Sequence, residues 1–329
     1  ALDGPQVKGN VVSTSDEDGQ RINARFRSLV IARSPPTVTE ADGDSAPVNR
    51  RIPAALNVIV DALEYEDKPL GRLEMLAEPE SEGWRLDRLA ITNPDGRIDI
   101  KGRWRIVNRP RAEYTVSFEA TDNGQFFKRL GYEETIVGGT GSLGGPVSWL
   151  GGPFEPDLPT LNGKLKLQAL DGRFAQVDPG AAQLFGILSL QALPRRISLN
   201  FKDVFTTGFS FDKIEADVTI TDGIARTDDF HMDGVSANVS MQGEVDLVNR
   251  TQDLDVRVTP MLTGAAAVAG AAVINPLVGV AALLVQKALG DPVEQAAARE
   301  YQVSGTWQDP QVERVEREPE AGATTAPGR

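Results

Sequence analysis

Apolar and polar residues alternate along much of the chain, in runs as long as a β-strand. The clearest runs lie at 114–118, 161–167, 197–201, 218–220, 235–241 and 254–258. A period of two gives a strand one apolar face and one polar face. The pattern therefore predicts a mainly β protein whose strands each bury one side.

Turn sequences separate these runs. Asn93-Pro94-Asp95-Gly96, Asp171-Gly172 and Thr221-Asp222-Gly223 are three of them. Asp-Gly pairs tolerate the positive φ angles of tight hairpins, so consecutive strands are expected to run antiparallel. The predicted fold class is a long antiparallel meander with one apolar face.

Two segments have helical rather than strand spacing. In 179–193, Leu184, Phe185, Leu188 and Ala192 recur at helical spacing after an Asp-Pro start. This predicts a short helix. A second segment, 264–289, is predicted to form a helical hairpin that is split at Asn275-Pro276, because proline interrupts a helix. The final residues, 313–329, mix charge with Ala, Thr, Gly and Pro and predict a disordered tail.

The stretch Leu262 to Val285 contains 24 residues without a charge. Three interpretations stay open: a hairpin buried against the sheet, a hairpin lying on or dipping into a membrane surface, and a single transmembrane helix. If the hairpin touches a membrane, the predicted contact residues are Leu277, Val280, Leu283 and Leu284.

Composition excludes several classes of function. The 329 residues include 34 Lys+Arg and 47 Asp+Glu, so the net charge of −13 argues against a nucleic-acid binder. Cysteine is absent, which excludes disulfide frameworks, thiolate metal sites and cysteine nucleophiles. A chain without thiols also suits an oxidising compartment such as the periplasm. The chain starts at Ala1 without a leader, so we expect a processed product or a fragment.

No motif assembles an active site. Gly139, Gly141 and Gly144 fit G-x-G-x-x-G, but Gly145-Pro146 follows where a dinucleotide site needs a helix. His231 is the only histidine, too few for a zinc site. Asp253 and Asp255 share the polar face of one strand, where solvation is expected. We therefore predict no catalytic residue, no cofactor and no metal.

Several sequence blocks resemble one known family. They include 177–180 (VDPG), 184–196 (LFGILSLQALPRR), 199–205, 208–212, 243–247, the Asn275-Pro276 hairpin and 301–310. In these blocks the chain resembles the C-terminal part of the YhdP group of AsmA-like proteins of Gram-negative bacteria. The resemblance spans nearly the whole chain and is most specific from Val177 to Pro310. Asn200 departs from the aspartate usual in the family, a conservative change.

The resemblance implies a periplasmic segment of a longer protein that is anchored upstream in the inner membrane. The sheet would coil into an elongated hydrophobic groove that moves phospholipid between the two membranes. This segment would be the end that faces the inner leaflet of the outer membrane. The implied partners are phospholipid and an outer-membrane or periplasmic protein.

The expected organisation has three parts: a β-groove segment at 1–160, an AsmA-like C-terminal β region at 161–312 containing the hairpin 262–289, and the tail. Apolar strand residues along such a groove would contact acyl chains, with burial worth about 0.8 kcal/mol per CH2 group. The predicted lipid-lining residues are Ile197, Leu199, Phe201, Phe205, Phe209, Phe211, Val218, Ile220, Val239, Met241, Val256 and Val258.

Periodicity alone does not separate an open groove from a closed core, because both need the same apolar residues. The alternative function is therefore a structural or assembly module for outer-membrane biogenesis that pairs an exposed strand edge with a client protein. An enzyme with two catalytic carboxylates is a third interpretation, for which no poised pair of acids is evident.

Overall fold

The structure is a computed structural model that describes residues 2–4, 6–16, 19–32, 54–106, 109–132, 136–174, 209–261 and 298–315. These residues are mostly strand, which confirms the mainly β prediction. The strands are β1 (Leu2–Asp3), β2 (Val7–Asp16), β3 (Gly19–Ile31), β4 (Ala55–Tyr65), β5 (Lys68–Glu80), β6 (Gly83–Asn93), β7 (Gly96–Arg105), β8 (Arg111–Ala120), β9 (Ile136–Val137), β10 (Thr140–Leu150), β11 (Asn162–Phe174), β12 (Phe209–Thr221), β13 (Ile224–Gly234), β14 (Ala237–Asp246), β15 (Thr251–Pro260), β16 (Arg299–Thr306) and β17 (Pro310–Val315). They are joined by one α-helix, α1 (Asn123–Arg129), and a short 3-10 helix (Leu158–Thr160).

The strands form one open sheet that follows chain order. β1 to β8 pair successively, β8 pairs with β10, and β10 to β17 again pair successively. The short β9 pairs with the end of β11. Within the described residues, β1 pairs only with β2 and β17 only with β16, so the sheet does not close on itself.

One pair of strands departs from the predicted meander. β3 and β4 run parallel, with Ala24 opposite Val58 and Phe26 opposite Val60. Two parallel strands begin at the same side of the sheet, so the connection between them has to run back along the whole length of a strand. A tight turn is too short for this. The connection from residue 32 to residue 54 is long enough for this, and most of it lies outside the described residues.

All four tryptophans lie near strand ends on the same side of the sheet, and we call this side the Trp rim. Trp84 follows the start of β6, Trp104 and Trp149 are close to the ends of β7 and β10, and Trp307 follows β16. The side formed by the opposite strand ends carries α1, and we call it the helix rim. From β4 to β8 and from β10 to β17 consecutive strands alternate in direction, so every second connection there belongs to the same rim.

The predicted turns are only partly correct. Asn93–Gly96 and Thr221–Gly223 do join consecutive strands, whereas Asp171 and Gly172 lie inside β11. There Asp171 has a φ of 53° and Gly172 leaves room for the ring of Phe211. The Asp-Gly pair therefore lies within a strand whose register with β12 is continuous, instead of forming a hairpin.

The glycine-rich segment also forms strand. Gly138 and Gly139 form the turn between β9 and β10, and Gly141 and Gly144 lie in β10. β10 continues past them to Leu150, so a strand and not a helix contains Gly141 and Gly144.

Several sequence predictions fall outside the described residues. They are the short helix at 179–193, the helical hairpin at 264–289 and most of the tail at 313–329. β17 extends to Val315, so the first three residues of the predicted tail belong to a strand. The division into 1–160 and 161–312 stays a prediction, although β10 and β11 pair across that boundary.

Candidate functional site

The apolar face of the sheet carries two parallel rows of side chains that cross ten strands, from β2 to β12. Residues two apart on a strand point to the same face, and the strand register aligns them across the sheet. Row A consists of Val11, Ala24, Val58, Met75, Leu89, Ile100, Val116, Gly145, Leu165 and Val218. Row B consists of Gly9, Phe26, Val60, Leu73, Ile91, Ile98, Phe118, Leu143, Leu167 and Ala216.

The middle of both rows is neither buried nor fully exposed. From β5 to β11 the side chains have intermediate exposure: Leu73, Met75, Leu89, Ile91, Ile98, Ile100, Val116, Phe118, Leu143, Leu165 and Leu167. Large contiguous runs of partly uncovered apolar side chains are typical of interaction sites, so the two rows are a candidate binding surface. Rows A and B therefore form a continuous apolar surface that a ligand can contact.

Aromatic residues bound this surface on the Trp rim. Trp84 pairs with Trp104 at a ring separation of 5.7 Å, and Tyr114 packs against Trp149 at 5.4 Å. The indole N–H groups of Trp84, Trp104 and Trp149 donate to the carbonyl oxygens of Ala54, Gly151 and Gly152, at 3.0, 2.8 and 2.8 Å respectively. These hydrogen bonds hold the three indole rings in place against the loops, beside row A.

Helix α1 bounds the surface on the other side. Phe126 of α1 is buried against Phe118 of row B, with ring centroids 4.5 Å apart. The Asp122 carboxylate accepts from the backbone N–H of Gln125 at 3.0 Å and caps the helix. Arg129 at the other end donates to Asp95 at 2.8 Å, which ties α1 to the turn between β6 and β7.

The predicted lipid-lining residues lie mostly elsewhere, in a closed core formed by β12 to β16. Seven of them are between 0% and 7% exposed: Phe209, Phe211, Ile220, Val239, Met241, Val256 and Val258. Val218, the eighth described residue of that set, is half-buried and belongs to row A. Buried side chains of this kind stabilise the sheet, and their contact with acyl chains stays a prediction.

The remaining predicted contact residues fall outside the described residues. These are Ile197, Leu199, Phe201 and Phe205 for the lining, and Leu277, Val280, Leu283 and Leu284 for the membrane contact. In the described ranges, no helix has the length and apolarity needed to cross a membrane.

The described part of the polar face carries pairs of oppositely charged side chains. His231 lies 2.9 Å from Asp233, and both side chains are about half exposed. A hydrogen bond from Arg97 lowers the pKa of Asp99, and one from Lys213 lowers the pKa of Glu215. A carboxyl group with a lowered pKa stays ionised at neutral pH and is a poor general acid.

The predicted solvation of Asp253 and Asp255 also fits their surroundings. Both are exposed and accept hydrogen bonds from Gln302 and Gln242 at 3.2 and 3.4 Å. A concavity of about 460 Å³ opens beside Asp255. Its lining combines charged side chains, among them His231 and Arg257, with the apolar residues Phe230, Met241, Val256 and Tyr301. Among the described residues, no group of three or more acids or histidines is placed to hold a metal ion.

The sequence analysis did not single out rows A and B, although it recognised the alternation at 114–118. The same alternation runs through β5 to β7, where Leu73, Met75, Leu89 and Ile91 occupy the apolar positions. The missing information was the strand register, which aligns these residues across the sheet and which a local pattern does not contain.

Comparison with known proteins gives a family for this arrangement. The YhdP protein family matches residues 1–312. The chain belongs to the YhdP family. It is 33% identical, over 243 residues, to the intermembrane phospholipid transporter YhdP of Escherichia coli (strain K12).

The aligned part covers 71% of this chain and 19% of that YhdP protein, so the chain corresponds to about a fifth of its relative's length. No solved structure matches the chain. The name of that relative describes phospholipid transport between membranes.

Proposed function

We propose that this segment carries phospholipid by holding acyl chains against rows A and B. The observation behind the proposal is the continuity of the two rows, which cross ten strands without a charged residue. With strands about 4.8 Å apart, nine steps give a path of roughly 43 Å. Such a path is longer than one lipid, so the lipid would move along it.

The energetics suit movement rather than tight binding. Each CH2 group removed from water contributes about 0.8 kcal/mol, so acyl chains favour the rows over solvent. The contacts are spread over similar side chains, and successive positions along the rows therefore hold a chain about equally well. The polar headgroup would stay in water, outside the two rows.

The proposal extends to the setting of the segment. We infer that it acts in the periplasm, in a longer protein anchored upstream in the inner membrane, and that it lies near the outer membrane. The cysteine-free sequence and the relative's description as an intermembrane transporter support the periplasm. A protein partner at the outer membrane belongs to the same proposal.

The test compares two neighbouring residues of β8 that point to opposite faces. Val116→Asp places a carboxylate in row A, whereas Thr115→Asp places one on the exposed polar face. Phospholipid that copurifies with the 329-residue chain is extracted and measured by mass spectrometry. We expect Val116→Asp to lose about tenfold or more of it, since a charge beside acyl chains costs several kcal/mol.

Thr115→Asp is expected to keep the lipid content of the unsubstituted protein. Circular dichroism and urea unfolding show whether both variants fold. Equal lipid content in two folded variants contradicts the proposal. A protein that carries no phospholipid even before substitution favours the assembly module instead, because strand-edge pairing needs no lipid.

A further inference from the structure

The apolar face changes character at β12. On the β11 side, Leu165 and Leu167 are half-buried, as are most members of rows A and B. On the other side, Phe230 and Met232 of β13 are 2% and 0% exposed. The change occurs within about one strand spacing, so the accessible surface has a sharp end.

The strand register breaks at the same place. Glu215 pairs with His231 and Thr219 pairs with Arg226, with a shift of register between these two pairs. A further shift lies between Phe211 and Lys213 of the same strand. Ala216 and Val218, the last members of the two rows, lie inside the first of these two shifts. Rows A and B thus have no continuation in register on β13.

Asp229 holds the irregular region in place. Its Oδ1 atom accepts from the backbone N–H of Asp217 at 2.9 Å and from the hydroxyl of Thr227 at 3.2 Å. The partner strand shows a second shift between Thr227 and Phe230, where it pairs with β14. Bulges of this kind bend a strand and increase its twist, which re-aims the side chains that follow.

The re-aimed side chains fill the apolar face beyond the break. Met232 pairs with Ile214 and with Val239, which are 3% and 0% exposed. Phe230 pairs with Met241 in the same closed core. Side chains buried to this extent expose almost none of their surface to a hydrocarbon chain.

We propose that the lipid path stops at β12, with Phe230 and Met232 as the stop, so that lipid leaves the apolar face beside β11 and β12. This inference rests on the proposed function, because a stop has meaning only if acyl chains occupy rows A and B. The inference adds where the lipid path ends. It also divides the sheet into a part that carries lipid, rows A and B, and a part that does not, the closed core of β12 to β16.

The absence of cysteine from the chain allows a direct test with single thiols. The probe is a phosphatidylethanolamine with a maleimide at the end of one acyl chain, incubated with the 329-residue chain. Leu143→Cys and Leu165→Cys place thiols in the rows, and Val239→Cys and Val256→Cys place them in the closed core. Labelling is followed by mass spectrometry of the intact protein.

We expect the two row positions to be labelled at least about tenfold faster than the two core positions, since a buried thiol reacts only when the structure opens. As a control, each of the four variants is unfolded in urea and labelled with a water-soluble maleimide. Equal labelling rates there show that all four thiols are able to react with maleimide. Circular dichroism confirms that each variant is folded before labelling.

Each outcome has one meaning. Labelling of the row positions alone supports the stop. Comparable labelling at all four positions overturns the stop but leaves the proposed function intact, because acyl chains then run past β12. Failure to label the row positions in folded protein overturns the proposed function, and the stop with it.

Discussion

Tyr114 lies between the apolar rows and the Trp rim, and its burial has a measurable consequence. It is 5% exposed and packs edge-on against Trp149. Burial raises the pKa of Tyr114 to about 12, because a phenolate would lose its hydration there. In the unfolded chain the same phenol ionises near its ordinary pKa of 10.0.

This difference predicts how stability depends on alkaline pH. Between about pH 10 and 12 the unfolded state has lost the Tyr114 proton and the folded state has kept it. The free energy of unfolding is thus unaffected by this group below pH 10. It falls as the pH rises to 12, by up to about 3 kcal/mol. Urea unfolding of the protein and of Tyr114→Phe across this range measures the contribution.

The comparison with phenylalanine isolates one group, because other tyrosines titrate in both proteins. Tyr114→Phe keeps the ring against Trp149 and is expected to show a shallower loss of stability above about pH 10. Identical pH profiles for the two proteins would mean that the phenol of Tyr114 is hydrated in the folded state.

At the scale of elements, backbone hydrogen bonds of Gly223 connect neighbouring loops on the Trp rim. The backbone N–H of Gly223 donates to the carbonyl of Leu161 at 2.9 Å, and its own carbonyl accepts from Leu247 at 3.0 Å. Its φ is +79°, and a Cβ atom there would lie 2.4 Å from the carbonyl oxygen of Leu158. The turn between β12 and β13 therefore needs glycine for conformation and for space.

Gly151 provides a matched control on the same rim. Its φ is +110°, also a conformation that favours glycine, but a Cβ atom there would have no neighbour within 4 Å. Both substitutions to alanine carry the conformational cost of about 1 kcal/mol. We expect Gly223→Ala to cost about 1–3 kcal/mol more than Gly151→Ala, because only Gly223→Ala forces atoms apart. Urea unfolding measures both, and equal costs would show that the loop at Leu158 gives way freely.

The same elements show what the sequence could predict and what it could not. Alternation identified β8, β12, β14 and β15, since a half-buried strand imposes its period on the local sequence. It did not predict that β3 and β4 are parallel, because that pairing joins residues far apart in the chain. It also placed Val235 in a strand, whereas the structure puts it in the turn before β14, 62% exposed.

The candidate site was harder to predict than the strands. Val116 and Val239 have the same alternating neighbours in the sequence, yet Val116 is half-buried and Val239 is fully buried. The two valines lie on opposite sides of the register shift between β12 and β13, which is a property of the assembled sheet. The resemblance to the YhdP group indicated lipid transport, but only the register located the accessible part of the face.

For the whole molecule, the two parts of the apolar face lie beside different tryptophans on one rim. Trp104 is half-buried and packs in the cluster that includes Met75, Leu89 and Ile100 of row A. Trp307 packs instead against the closed core of β12 to β16. If rows A and B carry acyl chains, Trp104 reports on the rows from β5 to β7 and Trp307 reports on the closed core.

Quenching by lipids that carry bromine on the acyl chains uses this separation, because quenching requires near contact between bromine and an indole. Acyl chains in rows A and B would reach Trp104 but not Trp307, which lies beyond the stop at β12. We expect Trp104→Phe to remove much of the quenching of the protein's fluorescence and Trp307→Phe to leave the quenched emission in place. The fluorescence of each folded variant, loaded with brominated and with ordinary phosphatidylethanolamine, measures the effect. The opposite result is quenching that disappears in Trp307→Phe and persists in Trp104→Phe. It would place the lipid against the closed core and contradict the division of the sheet at β12.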